Sequence, residues 1–468
     1  MDAPEFITTN RRGRKLVLNG YIFVLNRKNE RFVYWRCSEY KTCPATLTTS
    51  TADDTITHVG NDHQHQPDLA KIEVARKTAA LKNAVKTQLH VPVKRLYSEV
   101  FTAADNADAD FVAAKPTFRK VKSALYNHRR KMLPPLPRRL QEVTLEGTWA
   151  ETSQGKPFML ANDGDEQKIV VFSTDENLEK LSASERIFMD GTFKVAPPFF
   201  TQMYTVHVQY LGQMIPVLFA LLPCKTQEIY VRLFDIVTKL CHDRRLPFQP
   251  RSIMTDFEIG VLGAIRISFP ATVVRGCFFH FSQAVWRKVQ ALGLSVAYRE
   301  SAEVKTFVRR LAVLPLVPLQ ELDDVWLDLH GMAPDEVPGI TELCDYMVST
   351  WVDDVHALFR RELWNHFQTL QEEGLRTNNH LESFHSAFNR SFHTVHPNIF
   401  IFVDGLKKRQ DETETTVASL DIGNQPPPAK RQRVVKEDRV RRILQQFQTK
   451  QRPILSYMDA MGQTVKLG

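Results

Sequence analysis

The central part of the chain alternates short apolar runs with stretches in which apolar residues recur at helical spacing. The short runs, continuous or alternating, predict β-strands. They cover residues 169–173, 186–190, 200–210, 213–222, 251–255 and 271–275. After the run at 213–222, apolar residues recur at the helical period and predict helices. Thr226 is a candidate N-cap of the first of them. These helices cover residues 227–240, 259–269 and 282–292.

Three mostly adjacent strands, followed by alternating helices and strands, predict a covered α/β sheet with the element order of an RNase H-like core. Upstream of it, short aromatic and β-branched runs bounded by turns predict a small β module. These runs cover residues 16–20, 21–25, 31–37 and 45–49. A helical segment follows, in which Asp68 is a candidate N-cap, Pro92 breaks the pattern, and a polar loop precedes the last helix. Its helices are predicted over residues 70–81, 93–101 and 117–131.

Downstream of the core strands, residues 295–375 lose strand character and predict an all-α insertion. Its helices are expected over residues 307–314, 319–329 and 340–359. The aromatic residues of this region are expected to build its core, with stacking on an unpaired base as the alternative for any one of them. They are Trp326, Trp351, Phe359, Trp364 and Phe367.

A chain of 468 residues with 43% hydrophobic residues is long enough for several domains with real cores. The stiff Pro134-Pro-Leu-Pro137 run indicates a boundary between domains. The predicted segments are a β module at 10–68, a helical basic segment and linker at 69–137, the first part of the α/β core at 138–294, the helical insertion at 295–375, the rest of the core at 376–410, and a basic, partly disordered tail at 411–468.

The formal net charge of +8 favours polyanionic partners, nucleic acid first. Residues 1–14 have no apolar core and do not predict a secretory signal. The longest apolar stretch, residues 214–224, contains Pro216 and is too short to span a bilayer, so no membrane partner is expected. Six cysteines in this length do not predict a disulfide framework, which favours an intracellular protein with reduced thiols.

Four residues of the β module have a spacing that suits a metal. Cys37 and Cys43 supply two thiolates, and His63 and His65 supply two imidazoles, the set that tetrahedral Zn²⁺ prefers. A domain this small needs such a staple because its core is small. The alternative is that the four are unrelated, and His58 is a spare ligand or an ordinary strand residue.

The last helix of the basic segment carries its charges on a broad face, while Val121, Leu125 and His128 line the other. A helix of this kind can follow phosphates or enter a major groove of double-stranded DNA. The alternative is a solvated basic helix that packs on the next domain. The candidate DNA-binding residues are Arg119, Lys120, Lys122, Arg129, Arg130 and Lys131.

Three carboxylates far apart in the sequence suit a shared site. Asp190 and Asp256 follow apolar strand-like runs, and Glu382 lies on an amphipathic helical stretch. Oxygen ligands of this kind suit a pair of Mg²⁺ or Mn²⁺ ions, which clamp the attacking and leaving oxygens of a phosphodiester. Taken singly, each aspartate is as well explained by a turn or a helix cap, and Glu258 is a rival of Asp256.

The β module resembles a FLYWCH-type zinc finger. The resemblance lies in Gly20-Tyr21-Ile-Phe23, Tyr34-Trp35-Arg-Cys37, Cys43-Pro-Ala45 and His63-Gln-His65, in the order of that family. It covers roughly residues 10–68 and implies one bound Zn²⁺ in a module that contacts DNA or protein.

The core resembles a Mutator-like element (MULE) transposase over roughly residues 138–410. The matching motifs are Phe188-Met-Asp190-Gly-Thr-Phe193, Ile253-Met-Thr-Asp256-Phe-Glu258, Arg275-Gly-Cys277-Phe-Phe-His280-Phe and Thr377-Asn-Asn379-His-Leu-Glu382-Ser-Phe. The resemblance implies that Asp190, Asp256 and Glu382 form a metal-binding acidic triad on an RNase H-like fold.

The resemblance also includes a Cys-x2-His motif at Cys277 and His280, a candidate structural site. Two ligands do not complete a zinc site, and nothing in the sequence selects a partner among His380, His385 and Cys344. A buried cysteine and a helix-capping histidine explain the motif equally well.

After residue 411 the chain is polar, and a short helix is expected only near 439–448. The basic cluster that follows Pro426 predicts a nuclear-localisation signal with Lys430, Arg431 and Arg433, and a nonspecific DNA-binding tail is the rival interpretation. Either one places the protein in the nucleus.

The sequence therefore predicts a Mg²⁺-dependent DNA transposase that cuts element ends, joins them to target DNA, and works as a homo-oligomer on double-stranded DNA. Two alternatives stay open. One is a domesticated, non-catalytic zinc-finger protein that binds DNA or regulates. The other is a plain RNase H-like nuclease without strand transfer.

Overall fold

The computed structural model describes residues 4–8, 13–102, 108–372, 379–392, 394–426 and 431–467. The chain divides into two compact units. The first contains residues 1–136 with 391–393, and the second contains residues 137–390 with 394–468. Among the described residues, none of the helices combines the length and the apolar character needed to cross a bilayer.

The first unit begins with a six-stranded antiparallel sheet in which each strand pairs with the next along the chain. The strands are β1 (Glu5–Thr8), β2 (Arg14–Leu18), β3 (Tyr21–Lys28), β4 (Phe32–Cys37), β5 (Thr46–Ser50) and β6 (Ile56–Gly60). The four predicted strands are present, centred on buried Leu16, Phe23, Trp35 and Leu47. β1 and β6 were not predicted. β6 has no buried residue, so its sequence carries no inward apolar period to detect.

Four helices complete the first unit: α1 (Leu69–Thr87), α2 (Val93–Val100), α3 (Ala109–Ala114) and α4 (Phe118–Arg130). Asp68 caps α1 as predicted, because its side chain accepts a hydrogen bond from the backbone N–H of Lys71 at 2.8 Å. α3 lies where a polar loop was expected. Asp108 caps it, and its single buried residue, Phe111, packs in the helical core of this unit.

The second unit is built on a seven-stranded mixed sheet with the order β13-β12-β9-β10-β11-β8-β7. Its strands are β7 (Met159–Asp163), β8 (Ile169–Phe172), β9 (Arg186–Thr192), β10 (Gln202–Tyr210), β11 (Gln213–Leu222), β12 (Ser252–Thr255) and β13 (Val273–Gly276). β12 pairs in parallel with both β9 and β13, whereas the pairs from β9 to β7 are antiparallel. The six predicted strands are present, and β7 was not predicted.

The helices of the second unit cover both faces of the sheet and form a separate helical layer. They are α5 (Asp175–Ser182), α6 (Gln227–Asp243), α7 (Ile259–Ser268), α8 (Phe278–Ala291), α9 (Ser295–Glu300), α10 (Ala302–Ala312), α11 (Leu322–Gly331), α12 (Ile340–Met347), α13 (Arg361–Trp364), α14 (Phe367–Gln371), α15 (Asn379–Ser391), α16 (Ile399–Asp421), α17 (Arg431–Gln448) and α18 (Ile454–Gly462). The helix expected over 340–359 ends earlier, in a π-helical turn at Val348–Val352.

Strand alternation decides which residues of β9 face which helices. Ile187 and Met189 pack with α5, α6 and α7 in the main sheet core. Phe188 points the other way and packs with Met254 of β12 and with Leu381 of α15. Asp190 lies two residues after Phe188 within the same strand, so it belongs to the α15 side of the sheet. The strand continues to Thr192, so Asp190 lies inside β9 and not at its end as predicted.

The helical layer has one continuous core that includes residues from α8 to α14 and from α17 and α18. Trp326, Trp351, Phe359 and Trp364 are buried in it, as predicted, and Phe367 packs against it. The tail has more helix than the short one expected near 439–448, because α16, α17 and α18 include most of the described residues after 411. The apolar residues of α17 and α18 enter this core. They are Val440, Ile443, Leu444, Tyr457, Met458 and Met461.

We expect Met458→Ala to lower the free energy of unfolding by about 2–5 kcal/mol, because it empties a fully buried position between α18 and the helical core. Leu327→Ala is the matched control. Leu327 is 69% exposed in the same layer, so its loss should change stability by less than about 0.5 kcal/mol. Urea unfolding followed by circular dichroism measures both. Equal effects would mean that α18 does not stabilise the layer.

Candidate functional site

The finger residues predicted to bind zinc converge at one end of the first sheet. The ligand atoms of Cys37, Cys43, His63 and His65 all lie within 4.8 Å of one another. Cys37 Sγ is 3.1 Å from His65 Nε2, and Cys43 Sγ is 3.4 Å from His63 Nδ1. Two thiol sulfurs and two imidazole nitrogens at these separations suit a tetrahedral Zn²⁺. His58 lies on β6, opposite Thr48, and is outside this group.

Neighbouring groups hold both histidines in the orientation that ligation needs. The ring of His63 stacks on that of Tyr21, with centroids 3.5 Å apart. His65 Nδ1 is 2.9 Å from the carbonyl oxygen of Gln66, so an Nδ1–H donates there and leaves Nε2 directed to the cluster. Burial raises the pKa of Cys37. For Cys43, burial acts in the same direction, but backbone N–H groups of Gln64 and Ala45 outweigh it and lower the pKa.

In the second unit, Asp190 is only 5% exposed and is surrounded by two hydrogen bonds and a close contact with a histidine. The backbone N–H of Gly191 donates to Asp190 Oδ1 at 2.9 Å. His385 of α15 places Nδ1 3.3 Å from Asp190 Oδ2 and Nε2 3.0 Å from the hydroxyl of Thr205. That hydroxyl donates to the carbonyl oxygen of Asp190 at 3.2 Å. His385 thus links the α15 helix to the carboxylate of β9.

Asp256 follows the end of β12 and is the first residue beyond the strand. Burial raises the pKa of its carboxyl to about 7, and the charges of Asp190 and Glu258 act in the same direction. Glu258, the rival carboxylate, is engaged elsewhere. It forms an ion pair with Lys225 at 2.8 Å and accepts a hydrogen bond from the Tyr230 hydroxyl at 2.7 Å. Asp256 is therefore the more available ligand of the two.

Glu382 of α15 lies beside His280, in the motif after β13. Burial raises its pKa to about 7, and Asp190 adds to the shift. His280 Nε2 lies 4.0 Å from Glu382 Oε1, beyond hydrogen-bond range. Within the described part of the chain, Glu382 Oε1 and His280 Nδ1 are buried without a hydrogen-bond partner. Asn378, which precedes this helix in the predicted motif, lies outside the described residues.

Asp190 adds to the raised pKa of both other acids, so it lies within electrostatic range of each of them. They do not form a tight cluster. Among the described residues, only the finger has three or more potential ligand atoms all within 4.8 Å of one another. A wider arrangement is what a pair of ions about 3.5–4 Å apart would need, because each ion is held by a different subset of the acids.

Cys277 and His280 are placed by the start of α8. Cys277 is fully buried and occupies the N-cap position, where its N–H donates to the Thr255 carbonyl oxygen at 2.8 Å. Of the partners considered for a second zinc site, His385 is engaged with Asp190, and Cys344 lies in the helical core. The described residues contain no metal-binding group around Cys277. This placement agrees with the buried-cysteine alternative.

The basic face of α4 is exposed as expected at Arg119, Lys120, Lys122, Arg130 and Lys131. Arg129 differs from the prediction because it is only 9% exposed. Its guanidinium donates to the carbonyl oxygens of Val91 at 2.6 Å and of Gln88 at 3.2 Å. Arg129 therefore fastens α4 to the loop before α2 and is not available to a phosphate.

Of the residues assigned to the nuclear-localisation signal, Lys430 lies outside the described residues. Arg431 is exposed at the first position of α17, and Arg433 belongs to the same helix. The signal stays a prediction.

Sequence reasoning did not give His385 or Thr205 a role beside Asp190. The available signal was the spacing of Glu382 and His385, which lie three residues apart and so share one face of α15. Sequence reasoning also missed the side chains that hold Glu258, the rival of Asp256. There, Gln202 donates to the Tyr230 hydroxyl at 2.5 Å, and Tyr230 in turn donates to Glu258.

Two family models match the chain. The FLYWCH zinc finger domain matches residues 6–65, and the MULE transposase domain matches residues 186–284. The predicted resemblance to a MULE transposase with an N-terminal FLYWCH finger is thus confirmed. The first match and the Cys₂His₂ cluster together support Zn²⁺ in the finger, and the second supports a transposase.

None of the curated proteins compared with the chain matches it. Among solved structures, the chain is similar to the Drosophila P element transposase strand transfer complex at 11% sequence identity. That match covers 86% of this chain and 92% of the other, with a TM-score of 0.22.

Loss of a single finger ligand is expected to abolish zinc binding. Cys43→Ser should remove about one zinc ion per chain, because a hydroxyl replaces the thiolate that zinc prefers. Cys224→Ser, outside the cluster, should leave the zinc content unchanged. Elemental analysis of the purified full chain measures both. Retention of zinc by the Cys43 variant would show that the cluster is not the binding site.

The raised pKa values of Asp256 and Glu382 predict a pH dependence of stability in metal-free protein. Their ordinary values are 3.8 and 4.5, and both rise to about 7 in the fold. Between these limits the folded state binds more protons than the unfolded state, so stability falls as pH rises toward 7 and stays reduced above it. Asp256→Asn and Glu382→Gln should therefore stabilise the metal-free protein increasingly from pH 5 to pH 8.

Glu258→Gln is the matched control for this pH dependence, because its carboxylate already has Lys225 and Tyr230 as partners. It should destabilise the protein at pH 8 by removing one side of that ion pair. Urea unfolding at several pH values, with chelator present, measures the three variants. If Glu258→Gln raised the free energy of unfolding as much as Asp256→Asn, Glu258 would not be stabilised by Lys225 and Tyr230 as described above.

Proposed function

We propose that this protein is a DNA transposase of the Mutator-like type, which cuts phosphodiester bonds at element ends and transfers the strands. The observation that carries the proposal is the approach of Asp256 and of Glu382 to Asp190, in a unit whose residues 186–284 match the MULE transposase domain. Buried like charges are costly unless something neutralises them. A polyanionic substrate alone would worsen that cost, so cations are needed.

The order of strands supports an RNase H-like core. Three antiparallel neighbours, β9, β10 and β11, are extended beyond β9 by the parallel strands β12 and β13. In this order β9 and β12 are adjacent and parallel, so Asp190 and Asp256 approach the same edge of the sheet. The α15 helix then supplies the third carboxylate from above the same face.

The residues present fit Mg²⁺ or Mn²⁺. All three side chains offer hard oxygen ligands. Burial, with the charge of Asp190, raises the pKa of Asp256 and of Glu382, and Glu382 Oε1 has no hydrogen-bond donor among the described residues. Asp190, Asp256 and Glu382 would hold the ions. When bound, two such ions supply charge stabilisation at the attacking and leaving oxygens of a phosphodiester.

The protein groups around the acids have separate tasks in this proposal. His385 and the Gly191 N–H hold the Asp190 carboxylate in one orientation. Lys225 and Tyr230 hold Glu258 aside, so that Asp256 is the acid offered at the end of β12. The sheet and α15 bury Asp190 and partly bury Asp256 and Glu382, which strengthens their interaction with any cation.

The first unit supplies DNA contacts in this proposal. The zinc-stapled module and the exposed cations of α4 suit double-stranded DNA at element ends, through phosphates and grooves. Cutting paired ends favours a homo-oligomer on DNA. Action on chromosomal DNA agrees with the nuclear location predicted from the basic cluster after Pro426.

Asp190→Asn should lower metal-dependent DNA cleavage by about 10³-fold or more. It removes the negative charge of the one proposed ion ligand that lies near both other acids. DNA affinity should stay within about twofold, since phosphate contacts lie elsewhere. Asp243→Asn is the control, because Asp243 is a half-exposed acid whose contacts are with Lys239 and His242, away from the three acids. Cleavage of end-containing DNA with Mg²⁺, and with chelator, measures the difference.

Three outcomes separate the candidate functions. Cleavage and strand transfer that both require Asp190 support the transposase. Cleavage without joining in a plasmid assay would favour a plain nuclease. DNA binding without any metal-dependent cleavage in the unchanged protein would contradict catalysis and favour the domesticated, non-catalytic protein.

A further inference from the structure

A cavity of about 660 Å³ opens beside Glu382 in the second unit. Its size lies within the range of about 300–1,000 Å³ that is usual for small-molecule and cofactor sites. Side chains from α8 and α15, together with a residue after β9, line it. Those used below are Lys194, Phe279, Gln283, Glu382, Asn389 and Arg390.

Phe279 is the aromatic wall of this cavity, and its ring meets that of His280 edge-on, with centroids 5.8 Å apart. The neighbouring residues Phe278 and Phe281 pack in or against the helical core. Phe279 is only half-buried and belongs to none of the hydrophobic clusters of the described residues. An aromatic ring that faces a polar cavity is suited to stack on a flat partner.

The charged and amide groups of the cavity suit a nucleotide. Lys194 and Arg390 are exposed, and neither forms an ion pair with a carboxylate in the described part of the chain. Arg390 donates to the Ser386 hydroxyl at 3.0 Å, which leaves most of its donors available. Gln283 and Asn389 add amides, and Asn389 Oδ1 is buried without a hydrogen-bond donor among the described residues.

We propose that this cavity receives one nucleotide of a DNA strand, with its base stacked on Phe279 and its phosphate bound by Lys194 and Arg390. The amides of Gln283 and Asn389 face the edge of the base. Each amide has both a donor and an acceptor, so each can pair with a donor and an acceptor on that edge. The inference rests on the proposed function, because Glu382 forms one wall and would place the bound nucleotide next to the acids.

The charge distribution favours a nucleotide over a free small anion. Two cations and one carboxylate line the same space, so an isolated phosphate would meet Glu382 as well as its partners. In a nucleotide the base and the phosphate are separate groups, so the base can occupy the aromatic side of the cavity while the phosphate reaches the cations. A base that leaves the duplex pays an unstacking cost, and Phe279 would offset it.

Photocross-linking tests the cavity directly. A single-stranded thymidine oligonucleotide with one 5-iodouracil is irradiated with the full chain carrying Asp190→Asn, so that no cleavage intervenes. We expect a cross-link at Phe279, located by mass spectrometry of the peptides. Phe279→Leu should remove it, and Lys194→Gln with Arg390→Gln should lower its yield about tenfold by weakening the phosphate contacts.

Matched controls come from the same unit. Phe199→Leu removes an exposed aromatic outside the cavity, and Arg251→Gln removes an exposed cation outside it. Neither should change the cross-link at Phe279. The peptide map of the protein without cavity substitutions does not depend on whether any variant folds. If Phe279 is not cross-linked there, the proposal is wrong, whatever residues react elsewhere.

The failure of this inference is distinguishable from failure of the proposed function. A cross-link at Phe279 in a protein that never cleaves DNA would keep the nucleotide site and remove the catalysis. Metal-dependent cleavage that requires Asp190, without a cross-link at Phe279, would keep the transposase and remove this site.

Discussion

The second unit depends on the docking of α15 on the face of the sheet that carries Asp190. Phe188, Met254 and Leu381 form a small apolar contact between β9, β12 and this helix. That contact fixes the rotation of α15, and because Glu382 and His385 follow Leu381 by one and four residues, both are directed to the same region of the sheet. One packing contact therefore brings a distant carboxylate and a distant imidazole to the β9 strand.

The cost of this arrangement is electrostatic. Asp190 is buried, Asp256 and Glu382 are partly buried near it, and the pKa values of the last two rise to about 7. Purely structural acids usually have cationic or hydrogen-bonding partners, as Glu258 has in Lys225 and Tyr230. Acids that repel one another and have no neutralising partner in the protein are typical of functional sites, where a bound ion or substrate supplies that partner. The unit gives up stability here and recovers it in the large apolar core on the other face of the sheet.

Local patterns predicted what local physics determines. The central strands β8–β13 and helix α6 follow from apolar runs and helical periodicity, and the finger ligands follow from spacing. The predictions that were wrong or missing depend on tertiary contacts, which the sequence does not show. The polar composition of the tail as a whole hid the buried side chains of α18, and charge made Arg129 look exposed although it binds loop carbonyls. The contact of His385 with Asp190 joins residues far apart in the sequence. The convergence of the acids could be inferred only from strand order, since no single residue contained it.

The choice between Asp256 and Glu258 shows how the fold selects a ligand that sequence leaves open. Gly191 has no side chain, and a Cβ there would meet the amide oxygen of Gln202 at 2.4 Å. Gln202 can therefore lie across the strand and donate to Tyr230, which donates to Glu258. With Lys225 on its other oxygen, Glu258 is neutralised in place. The glycine after Asp190 thus helps to decide which acid after β12 remains free for a cation.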